Sequence, residues 1–146
     1  MSKLKIIAVG KIKENYIDEG IEEYLKRLRN KKIEVVEVKD SDKKKEGLDI
    51  VKKLEKLEGY LTIALDEHGK EFTSVEFSDF IKENINRDLC FVIGGPDGLD
   101  DSVLSKVDFK VALSKMTFTH EMVRLFLVEQ LYRSFCLIEG KRYHRD

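Results

Sequence analysis

The 146-residue chain has no tryptophan, one proline, two cysteines and almost no net charge, and each shortage excludes something. Cys90 and Cys136 lie far apart, each inside an apolar run, with no Cys-x-x-Cys and no accompanying histidine spacing. That pattern argues against a zinc centre, and no metal is expected. Buried, reduced thiols and a reducing compartment are the plain reading. Lys and Arg total 27 against 28 Asp and Glu, a formal charge of -1, so the basic excess of a general nucleic-acid binder is missing. A local basic site on a neutral chain remains open. No apolar run approaches the ~20 residues that span a bilayer, and Ile6 to Val9 is too short for a signal-peptide core. A cytoplasmic protein without a membrane segment is expected. No repeat, low-complexity tract or linker interrupts the chain, so residues 1–146 read as one domain.

What is present is 42% hydrophobic residues in short periodic runs. Leu4 to Val9 reads as a buried strand stopped by Gly10. Glu14 to Arg29 places Ile17, Ile21, Tyr24, Leu25 and Leu28 at helical spacing, and Ile33 to Val38 alternates as a half-exposed strand. A charged loop, Asp40 to Glu46, leads into a helix through Leu48, Val51, Leu54 and Leu57, ended by Gly59. Its lysines Lys43 to Lys45 are interleaved with acids and read as a solvated helix start. Tyr60 to Leu65 is a third strand, followed by a turn from Asp66 to Phe72 around Gly69. Thr73 or Ser74 can cap a helix through Val75, Phe77, Phe80, Ile81 and Ile85. Leu89 to Ile93 is uninterruptedly apolar, as a central strand covered on both faces would be. A short helix near Asp100 to Lys106, a strand from Phe109 to Leu113 and a long helix from Phe118 to Ile138 complete the chain. The alternation predicts an α/β domain: an open, mainly parallel five-stranded sheet with helices on both faces.

The last helix is apolar around most of its circumference, from Met122 and Val123 to Leu137 and Ile138. Such a helix must be covered on more than one side. A homodimer formed through this C-terminal helix meets the requirement; neighbouring helices of the same chain are the alternative.

Open parallel sheets bind ligands at the carboxyl ends of their strands. Those ends carry Leu65-Asp66-Glu67, Gly94-Gly95-Pro96-Asp97-Gly98 and Leu113-Ser114-Lys115-Met116-Thr117-Phe118. Neither a Walker nor a dinucleotide glycine pattern is present, which points to a ligand not held by its phosphates. The glycine loop reads equally as a tight turn. Of three histidines, His68 lies in a surface turn, and His120 opens the last helix four residues before Arg124. His144 lies in the tail with Lys141, Arg142, Tyr143 and Arg145. By composition that tail is frayed and solvated; the functional alternative is phosphate contact with a base stacked on Tyr143 or His144.

Taken in order, Phe91 to Leu99 (FVIGGPDGL), Leu113 to His120 (LSKMTFTH), Glu129 to Arg133 (EQLYR) and Gly140 to His144 (GKRYH) resemble a known family. It is that of ribosomal RNA large-subunit methyltransferase H, pseudouridine N3-methyltransferases of the SPOUT superfamily. Ile7 to Lys11 and Leu65 to Lys70 fit as well, so the likeness spans nearly the whole chain. One departure is Thr119, where the family usually has proline; a threonine can cap the helix instead.

The resemblance implies a C-terminal trefoil knot, which pattern alone would not suggest. It implies S-adenosylmethionine held by Leu65, Gly94, Leu113, Ser114, Lys115, Met116, Thr117 and Phe118, mainly through backbone groups. The substrate would be a pseudouridine of 23S rRNA in the assembled ribosome. Transfer needs alignment of the methyl group and a group to receive the imide proton. The tail of one subunit would lie over the pocket of the other, with His144, Tyr143 and Arg133 at the base and His120 as rival proton acceptor. Arg124, Arg133, Lys141, Arg142 and Arg145 would contact RNA. The rival readings are a SPOUT methyltransferase of tRNA, a ribosome-binding module of the same fold without turnover, and, weakest, a nucleotide-binding regulator.

Overall fold

The computed structural model describes residues 2–145. In chain order it comprises β1 (Leu4–Val9), α1 (Asn15–Arg27), a 3-10 turn (Arg29–Lys31), β2 (Glu34–Val38), α2 (Lys43–Glu55) and β3 (Leu61–Glu71). Then follow α3 (Ser74–Glu83), β4 (Leu89–Ile93), α4 (Asp101–Leu104), β5 (Phe109–Ala112) and α5 (His120–Glu139). All strand pairs are parallel, in the order β2-β1-β4-β3-β5. The expected five-stranded α/β architecture is present.

Alternation along the strands divides the core in two. Ile6, Ala8, Ile63, Phe91 and Ile93 point to one face, where Ile17 and Ile21 of α1, Phe77 and Ile81 of α3, and Leu127, Leu131 and Phe135 of α5 cover them. Ile7, Val9, Ala64, Cys90 and Val92 point to the other, against Ile50 and Leu54 of α2 and Val103 of α4. β4 is buried at every residue, as its unbroken apolar run requires. Burial pushes the Cys90 thiol up to about 12, so it stays protonated and unreactive. α5 lies between α1 and α3 over the first face, so neighbours in the same chain cover much of its girth. Met122, Val123, Phe126 and Leu137 are left half-buried.

Local chemistry sets the helix starts. Thr73 forms a capping box with Glu76 on α3, and the Thr119 side chain accepts the Met122 N–H to cap α5.

Three local expectations need correction. The charged stretch Asp40 to Glu46 is not all loop: Asp42 caps α2, which starts at Lys43, and Glu46 is buried. α2 stops at Glu55, and Gly59 sits beyond it in the turn before β3, with φ +86°. Asp66 to Phe72 is not a turn, because β3 runs on to Glu71. Pairing with β5 breaks after Leu65 and resumes at Lys70, both opposite Val111. Residues 66–69 bulge outward between those points, and a Cβ on Gly69 would lie 2.6 Å from the Lys110 and Val111 backbone. Only glycine allows that approach.

Candidate active site

The carboxyl ends of β3, β4 and β5 open into one cleft of about 1060 Å³, walled on its far side by the first turns of α1 and α5. Leu65, Gly94, Leu113, Ser114, Met116, Thr117 and Phe118 line it, together with His68 and His120. Lys115 stands apart from that lining, exposed and 4.0 Å from Glu71.

The glycine loop is both a tight turn and a cleft wall. The Gly98 N–H donates to the Gly95 carbonyl at 3.0 Å, with Gly98 at φ +80°. A Cβ on Gly94 would lie 2.7 Å from the Gly98 carbonyl carbon and 3.0 Å from the Leu99 nitrogen. Beneath the loop, the Glu46 carboxylate accepts the Ser41 N–H and sits 3.3 Å from where a Gly95 Cβ would be. Burial raises the Glu46 pKa above the usual carboxylate range, and Asp40 and Asp97 add to it, against the Ser41 hydrogen bond.

The second wall is tied by side chains. The Ser114 hydroxyl accepts the Met116 N–H, Thr117 donates to Glu67 at 2.6 Å, and Phe118 meets Phe126 edge-on at 5.0 Å. Glu121, which sequence reasoning missed, is buried beneath the third wall. It accepts the backbone N–H groups of Lys13 and Glu14 at 3.2 Å, fixing the entry of α1 to the start of α5. Carboxylates dominate the lining: Glu14, Asp66, Glu67, Asp97, Asp101 and Glu121 against Lys43. Such a lining favours a cationic ligand and repels phosphate.

The tail residues lie elsewhere. The cleft is at the N-terminal end of α5, and the tail folds back onto the middle of that helix, with Tyr143 on Glu129 and His144 on Arg133, ~14 and ~20 Å along the axis from His120. The tail is not frayed. Tyr143 donates to Glu129 at 2.7 Å and sits 3.0 Å from the Tyr24 hydroxyl, its ring against Tyr132. Burial, then the bonds to Tyr24 and Glu129, raise the Tyr143 pKa far above the normal phenol range, so it remains a phenol. Arg133 bonds Glu129 at 2.8 Å, lies 4.8 Å from the Tyr143 ring centre, and approaches His144 Nδ1 at 3.1 Å. A guanidinium only donates, so Nδ1 accepts and a neutral His144 carries its hydrogen on Nε2. Lys141, Arg142 and Arg145 are exposed around this cluster.

Arg124 departs from the RNA contact expected of it. It is 4% exposed and turned inward, donating to Glu37 at 2.8 Å and to the Gly10 carbonyl at 2.7 Å. It ties α5 to the ends of β1 and β2. Arg124→Ala is expected to lower unfolding stability by roughly 1–3 kcal/mol, read from urea denaturation, because it removes a buried guanidinium that bonds the half-buried Gly10 carbonyl and the exposed Glu37 carboxylate. Unchanged stability would return Arg124 to the list of surface contacts.

Among the described residues, no group of three or more His, Cys, Asp or Glu side chains is placed to hold a metal ion. No helix among the described residues is long and apolar enough to cross a membrane.

A fully parallel five-stranded order with an acidic cleft at the strand ends defines an α/β class, and comparison with known proteins places the chain within it. The family model described as "Predicted SPOUT methyltransferase" matches residues 2–144. Solved structures agree on the fold. A probable methylase family protein from Haemophilus influenzae Rd KW20 has a TM-score of 0.64 at 12% identity, covering 99% of this chain and 71% of that one. The SpoU methyltransferase AviRb from Streptomyces viridochromogenes, solved in complex with the cofactor AdoMet, has a TM-score of 0.54 at 13% identity, covering 97% and 60%. Ribosomal RNA large subunit methyltransferase H from Acetivibrio thermocellus is 44% identical over 162 residues, 98% of this chain and 99% of that protein. The protein of the same name from Prochlorococcus marinus is 41% identical over 145 residues, 99% of this chain and 97% of that protein. The chain therefore belongs to the ribosomal RNA large subunit methyltransferase H family of SPOUT methyltransferases.

Proposed function

We propose that the chain transfers a methyl group from S-adenosylmethionine to N3 of a pseudouridine in 23S rRNA of the assembled ribosome, as a cytoplasmic homodimer. The observation that carries this reading is the glycine wall at Gly94. Gly94 lets the loop close backbone against backbone on Gly98, forming one wall of a cleft whose lining is acidic, which suits an adenosyl compound bearing a sulfonium and an ammonium. Leu65, Gly94 and the segment from Leu113 to Phe118 would hold the donor, which supplies an activated methyl group. The trefoil knot belongs to the same reading. β4 and β5 flank β3 in the sheet, and the segments that leave them, Gly94–Gly98 and Leu113–Phe118, line the one cleft where the thread would pass.

The chain's own residues then align the target. His120, the histidine at the head of α5 that lines the cleft, would take the N3 proton that methyl transfer displaces. His144, held by Arg133, donates from Nε2 to a pyrimidine carbonyl, and Tyr143 keeps the tail in place as a neutral donor to Glu129. Because His144 rests on Arg133, ~20 Å along α5 from His120, these groups meet only when the tail of one subunit reaches the cleft of another. The half-buried Met122, Phe126 and Leu137 provide the apolar stripe for that pairing. Lys141, Arg142 and Arg145, exposed beside the tail, would hold phosphates next to the target base.

The deciding experiment offers labelled donor with intact ribosomes, free 23S rRNA and bulk tRNA, and maps the methylated nucleotide by mass. Label at N3 of one pseudouridine in ribosomes alone is the expected result. Label in tRNA would overturn the substrate, and donor binding without transfer to any RNA would favour a non-catalytic module.

A further inference from the structure

We infer that Tyr16 is the platform on which the target base stacks, and that the cleft admits RNA by a single extruded base while rejecting its backbone. The inference rests on the proposed function and adds to it how the substrate is recognised.

Among the described residues, five large apolar side chains stand well out in solvent: Tyr16, Leu48, Val75, Phe109 and Met116. Two of them, Tyr16 at 65% exposure and Met116 at 73%, line the same cleft. An isolated exposed aromatic needs no explanation, but one on the rim of a ligand-sized cleft does. The backbone beneath Tyr16 is firmly held. Glu121 binds the N–H groups of Lys13 and Glu14, the Glu14 carbonyl accepts from Ile17 and Asp18, and Ile17 is buried in the core. Tyr16 is thus a flat ring on a fixed mount, which can bind a planar partner with little loss of freedom.

Size and charge select the partner. Pockets for small ligands run to about 300–1,000 Å³, so a cleft of about 1060 Å³ leaves room beside an adenosyl donor. Six carboxylates against one lysine in the described lining repel a phosphodiester, whereas a nucleobase is uncharged and presents a π-face. An unstacked base laid on an aromatic ring is the usual way proteins read single-stranded RNA.

The chain has no tryptophan, so Tyr16→Trp creates one fluorophore at the site. Titration with oligouridylate is expected to quench it, and inorganic phosphate at equal concentration to leave it unchanged. Tyr16→Ala is expected to weaken ribosome binding, read as KM, by about 5- to 150-fold, with donor affinity by calorimetry and sedimentation mass unchanged. Tyr16→Phe should restore it. Absence of quenching by oligouridylate overturns the inference. So does quenching by donor alone, which would mean the ring stacks on adenine, or a lighter sedimenting species in Tyr16→Ala, which would make Tyr16 a subunit contact. Failure of the wild-type chain to methylate ribosomes would sink the proposed function and leave the quenching result standing.

Discussion

Gly94→Val is expected to abolish donor binding in calorimetry, a loss of more than a hundredfold, and even Gly94→Ala should lose most of it. The reason is covalent geometry. The added Cβ would sit 2.7 Å from the Gly98 carbonyl carbon and 2.8 Å from its oxygen, and both are backbone atoms of a closed turn. A flexible side chain could move aside, but this turn is pinned by the Gly98-to-Gly95 hydrogen bond and by Leu99, which is buried. The loop must open, and the cleft wall opens with it. Gly98→Ala is a weaker comparison, since open space surrounds its Cβ position and only the φ of +80° resists the change. Retained affinity in Gly94→Val would show that the donor does not touch this wall.

His144→Ala is expected to cut methyl transfer to ribosomes by roughly 10²–10³, the usual cost of one well-placed donor at a reacting group. Donor affinity should stay the same, because His144 lies far from the cleft of its own chain. The stronger form of the test mixes subunits. A heterodimer of Gly94→Val with His144→Ala has one intact cleft and one intact tail, on different chains. If the two halves act across the pair, mixing two inactive variants restores activity; if each chain works alone, the mixture stays dead. Arg133→Ala should resemble His144→Ala, since Arg133 fixes His144 and rests on the Tyr143 ring.

Much of the architecture was readable because it rests on local rules. Alternation in β1 and β4 divides their side chains between two cores, and the unbroken run Leu89 to Ile93 marked the middle of the sheet. Thr119 and the pair Thr73-Ser74 announced their helices, and of that pair Thr73 is the cap. That the ends of β3, β4 and β5 meet in one place was readable, since the sheet brings them together regardless of side-chain detail.

What stayed hidden depends on partners remote in sequence. Gly69 looked like a turn glycine, because nothing nearby reveals that the backbone of Lys110 and Val111 presses against it. Arg124 has the spacing of a functional partner for His120, yet its acceptors are in β2 and at the end of β1, more than eighty residues away. Composition made the tail look frayed, while Tyr24, 119 residues from Tyr143, holds it down. Glu46 was lost in a run of charges and Glu121 in an apolar helix. A buried carboxylate at a helix start, sharing backbone N–H groups with a neighbouring segment, leaves little trace in sequence.

The length of α5 has a consequence for how the protein behaves at low abundance. On the proposed pairing, a solitary chain keeps His144 ~20 Å along the helix from its own cleft, so it could load its reagent but not finish the reaction. Occupancy would then be indifferent to dilution, whereas specific activity would fall once subunits separate. Unassembled or newly made copies would be silent toward RNA, and output would be governed by association instead of by synthesis alone.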